Sequence, residues 1–147
     1  MIRILVSRDP IDLAAEAARV EQAEVGAVAS FCGLVRADDG VDRLELEHYP
    51  GATEAALDRI AHLAKARWSL QAAIIVHRVG PMQPGERIVF VAAAAPHRRD
   101  ALDACAYLID RLKTDAPFWK RETRGADARW VEARDSDGAA AARWDDI

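Results

Sequence analysis

The sequence predicts an α+β fold with strands and helices mixed along one chain, and three kinds of pattern carry that prediction. Short apolar or alternating runs at 2–6, 25–35, 44–49, 72–79 and 87–95 read as strands. Two longer segments place apolar residues at helical spacing: Leu57, Ile60, Ala61, Ala64 and Trp68 in one, and Ala101, Cys105, Leu108, Ile109 and Leu112 in the other. Gly, Pro and Asp clusters punctuate the runs. A length of 147 residues fits one domain, 1–147, and buries a sizeable core.

Each element has a local reason. The run at 2–6 opens the chain as a strand. Asp9-Pro10 then starts a helix, with Asp as cap and Pro at the first helical position, and that helix extends to about residue 22. The β-rich run 25–35 contains Gly26 and Gly33, which mark a bulge or a close approach of backbone. Ala37-Asp38-Asp39-Gly40 is a turn. Leu44, Leu46 and His48 alternate with Arg43, Glu45, Glu47 and Tyr49 in a half-buried strand that Tyr49-Pro50-Gly51 ends. A helix covers 53–68. The strands 72–79 and 87–95 are joined by the Gly- and Pro-rich connection 80–86. A helix over 97–114 is closed by Pro117, and 118–122 and 129–133 form a last pair of short strands. The tail 135–147 is Ala-rich and acidic, a mobile or partner-docking segment. No internal repeat or linker interrupts the chain.

Composition narrows the function. The hydrophobic share of 51% and charged share of 30% are those of a globular protein. A net charge of −4 at pH 7 makes nucleic acid a poor partner. Positive charge is nonetheless gathered in residues 97–124, at 98, 99, 111, 113, 120, 121 and 124, which suits a small anionic ligand better than a polyanion. The opening residues lack the apolar core and cleavage site of a signal peptide, and no apolar run is long enough to span a membrane. A cytoplasmic location with reduced thiols is therefore expected.

Cys32 and Cys105 lie in apolar runs with no Cys/His spacing for zinc, and they read as structural thiols. The His residues 48, 62, 77 and 97 show no metal spacing either. GxSxG, P-loop, GxGxxG and HExxH patterns are absent. The chain is thus expected to use no metal, no cofactor and no sulfur nucleophile of its own.

What remains is a set of cations. The chain has 20 Lys and Arg, of which only Lys65, Lys113 and Lys120 are Lys, and two of these three flank the aromatic turn at 114–119. Lys is a compact charge whose pKa falls readily on desolvation, so its use here points to amine chemistry or to point-charge binding of an anion. Two solvated lysines around a turn are the plainer alternative. His97-Arg98-Arg99 begins a helix, where free N–H groups favour phosphate, although cations there oppose the helix dipole and need a compensating reason. Arg36 ends a strand beside a loop, a position shared by ligand contacts and ordinary surface residues. If 97–113 is one helix, its ends lie about 24 Å apart at roughly 1.5 Å per residue. One small ligand cannot touch His97 and Lys113 of the same chain. Either there are two sites, or two chains of a symmetric dimer build each site together.

Several segments taken in order resemble a known family. They are Phe31-Cys32-Gly33-Leu34-Val35-Arg36, Leu46-Glu47-His48-Tyr49-Pro50-Gly51, His77-Arg78-Val79-Gly80, Ala95-Pro96-His97-Arg98, Leu112-Lys113, Pro117-Phe118-Trp119-Lys120-Arg121-Glu122 and Trp130-Val131-Glu132-Ala133-Arg134. Together they make the chain similar, over nearly its whole length, to the large, catalytic subunit of molybdopterin synthase. The resemblance implies an α/β-hammerhead-like domain with three main helices and an additional small β subdomain. It implies a homodimer at the centre of a heterotetramer, with a small ubiquitin-like sulfur carrier as the other subunit. It also implies a sulfurtransferase that converts cyclic pyranopterin monophosphate into molybdopterin, taking two sulfurs in turn from the carrier's C-terminal thiocarboxylate.

Carried over by position, Lys113 and Lys120 would be the catalytic pair. Lys113 would meet the thiocarboxylate end and the substrate, and Lys120 and Arg121 would hold pterin or phosphate. Phe31, Leu34, Val35, Arg36 and Glu122 would line the same pocket. His97, Arg98 and Arg134 would reach in from the other subunit to bind phosphate. Leu34 stands where relatives often carry a polar residue, which leaves a backbone contact at that position. Two other functions compete: a lyase forming a Schiff base through Lys113 on a phosphorylated carbonyl substrate, and a non-catalytic module that binds a ubiquitin-like protein.

Overall fold

The two most continuous apolar runs have to bury both of their faces, and they lie at the centre of a four-stranded sheet. The structure is a computed structural model that describes residues 1–22, 24–131 and 135–145. In chain order its elements are β1 (Ile2–Ser7), α1 (Leu13–Ala18), β2 (Ala27–Leu34), β3 (Arg43–His48), α2 (Ala52–Trp68), β4 (Ala72–Arg78), β5 (Gly80–Met82), β6 (Arg87–Ala95), α3 (Arg98–Asp115), β7 (Phe118–Arg124), β8 (Asp127–Val131) and α4 (Asp135–Ala142), with a short 3₁₀ turn at Asp38–Gly40. Arg134 lies outside the described residues, as do Glu132 and Ala133 of the last expected strand.

The first sheet has the order β1-β4-β6-β2, with β1 and β4 parallel and the other pairs antiparallel. Alternation along β4 and β6 divides the interior in two. Ala73, Ile75, Val89, Val91, Ala93 and Ala95 face α2 and α3 in the larger core cluster. Ala72, Ile74, Val76, Phe90, Ala92 and Ala94 face the opposite side, with Ile11 and Val20 from the chain around α1. The second sheet, of order β5-β3-β7-β8, is antiparallel throughout. The fold is therefore mixed α+β, and among the described residues no helix is long and apolar enough to cross a membrane.

Two expectations change, and the tail acquires a local structure. The first helix is shorter than 9–22, because Asp12 and not Asp9 is its cap: the Asp12 carboxylate accepts from Ala15 N at 3.1 Å, while Ile11 between the two Asp residues is drawn into the core. The connection 80–86 contains β5, whose three residues are too few to show a period, and whose Pro81 is tolerated because β5 is an edge strand. The tail, expected as a mobile or partner-docking segment, forms α4 and returns to its own chain. The Trp144 ring packs edge-on against Trp68 and Tyr107 at 5.6 and 5.7 Å, and its indole N–H donates to Asp110 at 2.8 Å.

One buried hydroxyl ties α2 to two neighbouring strands of the second sheet. Thr53, at the start of α2, has no exposed surface. Its Oγ1 accepts from Tyr49 N at 2.9 Å and donates to Pro117 O at 2.9 Å, so it pins the entry to β7 against the exit from β3.

Candidate functional site

Two residues separate β6 from α3, which packs on β6 and β2 and so runs back along the sheet. Its start is fixed at the Ala27 end of β2, where Gly26 N donates to Ala95 O at 3.2 Å and any side chain at Gly26 would collide with Pro96 O. His97, Arg98 and Arg99 are exposed at that end, and His97 caps the helix without a side-chain hydrogen bond. Lys113 lies in the last turn, toward the Leu34 end of β2. With α3 unbroken over Arg98–Asp115, His97 and Lys113 of one chain stand about 24 Å apart at roughly 1.5 Å per residue. The structure places them at opposite ends of the molecule's longest helix.

Only Ala116 and Pro117 separate α3 from β7, so Lys113 and Lys120 are held on either side of one short junction. Along β7 the faces alternate. Phe118, Lys120 and Glu122 share the face of their partners His48, Leu46 and Leu44 on β3, toward the interior. Lys120 Nζ lies 4.0 Å from a Glu122 carboxylate oxygen. Trp119 and Arg121 turn to the other face, where Trp119 meets Tyr49 and Trp130 at 6.0 and 6.2 Å, and the Arg121 guanidinium lies 6.0 Å from the Trp130 ring centre. Lys120 and Arg121 are thus neighbours in sequence that cannot reach one ligand from the same side of the strand.

The end of β2 supplies the remaining residues. Phe31 and Leu34 are 41% and 54% exposed, large apolar groups left facing solvent. The register shifts between Gly33 and Leu34, and a Cβ at Gly33 would come within 2.8 Å of Val89, so glycine lets β2 and β6 close on each other there. Val35 is buried, its N–H donates to Glu86 O at 2.9 Å and its carbonyl accepts from Gly85 N at 2.8 Å. Its side chain fills the core, and its backbone bonds anchor the chain just before Arg36. Arg36 extends into solvent with Asp38 3.5 Å away.

Beneath the junction lies His77, which opens one of the segments behind the resemblance but received no role from it. It sits on the α3 side of β4, 3% exposed, and its ring stacks on Phe118 with centres 4.0 Å apart and planes 22° from parallel. Nδ1 is 2.8 Å from the Arg78 carbonyl, an acceptor only, so Nδ1 carries the proton and Nε2 a bare lone pair. Burial drives the His77 pKa down to about 4; the bond to Arg78 O opposes this, and the charges of Lys113 and His48 push the same way as burial. The imidazole is neutral at physiological pH. A histidine inside an otherwise apolar strand was the sequence signal for it. Both thiols are disfavoured as thiolates: burial raises Cys105 to about 11, and it raises Cys32 against the opposing charge of Arg87.

Comparison with known proteins fits this layout. The family model described as MoaE protein matches residues 6–115. The chain is 48% identical to the molybdopterin synthase catalytic subunit of Rhizobium meliloti over 148 residues, 97% of this chain and 96% of that protein. Among solved structures, it resembles the molybdopterin biosynthesis MoaE protein of Burkholderia ambifaria at 49% identity and a TM-score of 0.86, over 99% of each chain. It also resembles the molybdopterin synthase of Staphylococcus aureus at 33% identity and a TM-score of 0.81, over 88% of this chain and 96% of that one.

Proposed function

The chain belongs to the MoaE protein family, and from that premise we propose that it is the sulfur-inserting subunit of a molybdopterin synthase. It converts cyclic pyranopterin monophosphate into molybdopterin, with two sulfurs delivered in turn by the C-terminal thiocarboxylate of a small ubiquitin-like carrier. The relatives are called catalytic subunits, and a carrier that brings the sulfur is the complementary subunit such a name implies. The biosynthetic reaction and the two free thiols support a cytoplasmic location, with residues 1–147 acting as one unit.

The observation that carries the reading is the pair of lysines fixed on either side of the α3–β7 junction, in a chain with only three lysines. Lys113 and Lys120 offer compact positive charges to an anionic thiocarboxylate and to the negative charge that builds up as sulfur attacks. Phe31 and Leu34 provide apolar surface for the pterin, Arg36 a cation at its edge, and Glu122 a carboxylate that orients Lys120. Arg121 faces away from this group and is left out of it. His97 and Arg98 bind the substrate phosphate in the site of a second copy, joined there by Arg134. A dimer sharing its sites in this way reconciles the length of α3 with a single small substrate.

The test is a single-turnover reaction of the purified protein with thiocarboxylated carrier and cyclic pyranopterin monophosphate, with molybdopterin read as its fluorescent oxidised derivative. Wild type forms product and Lys113→Ala does not. Mixing Arg98→Ala with Lys113→Ala protomers restores part of the activity, because one of the two sites in each mixed dimer is intact. A wild type that binds the carrier yet forms no product overturns the reading, and absence of recovery after verified exchange of subunits overturns the shared site.

A further inference from the structure

Arg78, the last residue of β4, is a buried cation that the proposed reaction leaves unused, and burying a guanidinium needs a reason. Its side chain is 8% exposed, and its Nε has no hydrogen-bond acceptor among the described residues. The burial is offset at the tip: Nη1 donates to Glu86 Oε1 at 3.0 Å and Nη2 donates to Arg8 O at 3.1 Å. The second oxygen of that carboxylate, Oε2, accepts from Gln83 N at 2.5 Å, and Gln83 O accepts from Glu86 N at 3.1 Å. The segment 83–86 is thereby closed on itself, with Gly85 at φ +91°, a conformation that favours glycine. The Glu86 carboxyl is held below its usual range by the Gln83 N–H first and by Arg78 next, so it stays ionised and keeps both bonds. This turn in its turn holds the end of β2. Glu86 O accepts from Val35 N at 2.9 Å, and Gly85 N donates to Val35 O at 2.8 Å. Val35 is bound through both backbone groups, and the next residue is Arg36.

We propose that Arg78 and Glu86 are positioning residues for Arg36: the buried guanidinium fixes the Glu86 carboxylate, the carboxylate closes the 83–86 turn, and the turn grips Val35, so that the chain leaves β2 in a fixed direction and carries Arg36 to the edge of the apolar surface of Phe31 and Leu34. The side chain of Arg36 does not fix this direction by itself. It is 57% exposed, and its pairing with Asp38 at 3.5 Å is a solvated contact of little strength. The turn also sets the end of β2 against the second sheet. Met82 pairs with Leu44 of β3 just before it and Arg87 pairs with Leu34 of β2 just after it, while β3 is the neighbour of the strand that carries Lys120. A shift at 83–86 therefore moves Arg36 relative to Lys120.

The effect on turnover rests on the proposed function, whereas amide exchange reads the hold on β2 directly. Glu86→Ala removes both carboxylate acceptors. Exchange at Val35 and Gly85 then quickens about tenfold relative to Ala93, a fully buried residue inside β6 that reports global opening. In single-turnover reactions at varied cyclic pyranopterin monophosphate, Arg36→Ala raises the half-saturating concentration about tenfold, the scale of a lost bond to a charged group. Glu86→Ala raises it about fivefold, with less than about a twofold loss of rate at saturation. In the Arg36→Ala background Glu86→Ala adds no further rise, because its effect passes through a side chain that is no longer there. Arg78→Met, which keeps much of the volume and removes the fork, shows the same pattern. A full fivefold rise in the Arg36→Ala background overturns the proposal, as does unchanged exchange at Val35 and Gly85 in a folded Glu86→Ala protein. If Glu86→Ala does not fold, Glu86→Gln decides by the same two readouts: its amide oxygen serves one of the two donors, and the shifts are about twofold to threefold. Absence of product from wild type refutes the function, while amide exchange still decides whether Arg78 and Glu86 hold Val35.

Discussion

Acid should destabilise this protein well before its carboxylates titrate, and His77 is the cause. The perturbation is a fall in pH from 7 to 4.5. In the unfolded chain His77 titrates near 6.5, and in the fold near about 4, because burial penalises the imidazolium and Lys113 and His48 add to that penalty. The unfolded state therefore binds more protons than the folded one between these values. The sign follows: stability contributed by neutral His77 is complete above pH 6.5 and is lost progressively as pH falls toward 4. At 1.36 kcal/mol per unit the whole loss is about 3 kcal/mol, a large part of the roughly 5–15 kcal/mol that holds a domain folded. Glu16 and Glu86, whose carboxyls are held below their usual 4.5 by Arg3 and by Gln83 N and Arg78 respectively, lose their contributions only below about 4.5. The window from 6.5 to 4.5 thus separates His77 from these two carboxyls. Urea midpoints are measured through that window for wild type and His77→Phe, and the difference between them reports the contribution of His77. Wild type should lose about 1 kcal/mol per pH unit more than the variant as pH falls. Parallel curves would refute the argument that this ring is held neutral by the fold.

Two further predictions concern the supports of the site. Thr53→Val leaves Tyr49 N without its acceptor and Pro117 O without its donor, at nearly unchanged volume. It should cost about 2 kcal/mol in chemical denaturation and slow turnover, since the bond to Pro117 fixes the residue before β7; a fully stable, fully active variant would show that the bond does not position the junction. Trp144→Ala removes a half-buried ring from the group formed with Trp68, Tyr107 and the Arg67 guanidinium, 5.4 Å from the ring centre. Its cost should be about 2 kcal/mol, roughly half that of deleting a fully buried Trp. Amide exchange should accelerate in α4 and not in α3, and unchanged exchange in α4 would mean that the ring does not anchor the tail.

Local patterns along the chain were enough to set the pieces and their chemistry. Periods of two and of 3.6 residues located the strands and the two long helices, because each must turn an apolar face inward and the spacing of that face is set by local backbone geometry. The scarcity of lysine marked Lys113 and Lys120, and the length of α3 alone required that His97 and Lys113 serve different ends. Capping was read less well: Asp9 and Asp12 carry the same local signal, and the choice between them fell to the burial of Ile11, which is a tertiary event. The three residues of β5 exist as a strand only because β3 lies beside them. Only the folded structure separated Lys120 from Arg121, since the side a residue takes depends on which face of β7 is covered. Only the structure showed the state of His77, since a ring becomes neutral and oriented through burial, the Phe118 stack and the Arg78 carbonyl acting together. Local order is written in near neighbours along the chain. The electrostatics of a site come from neighbours brought together across it, here from β3, β4, α3 and β7, and packing alone assembles them.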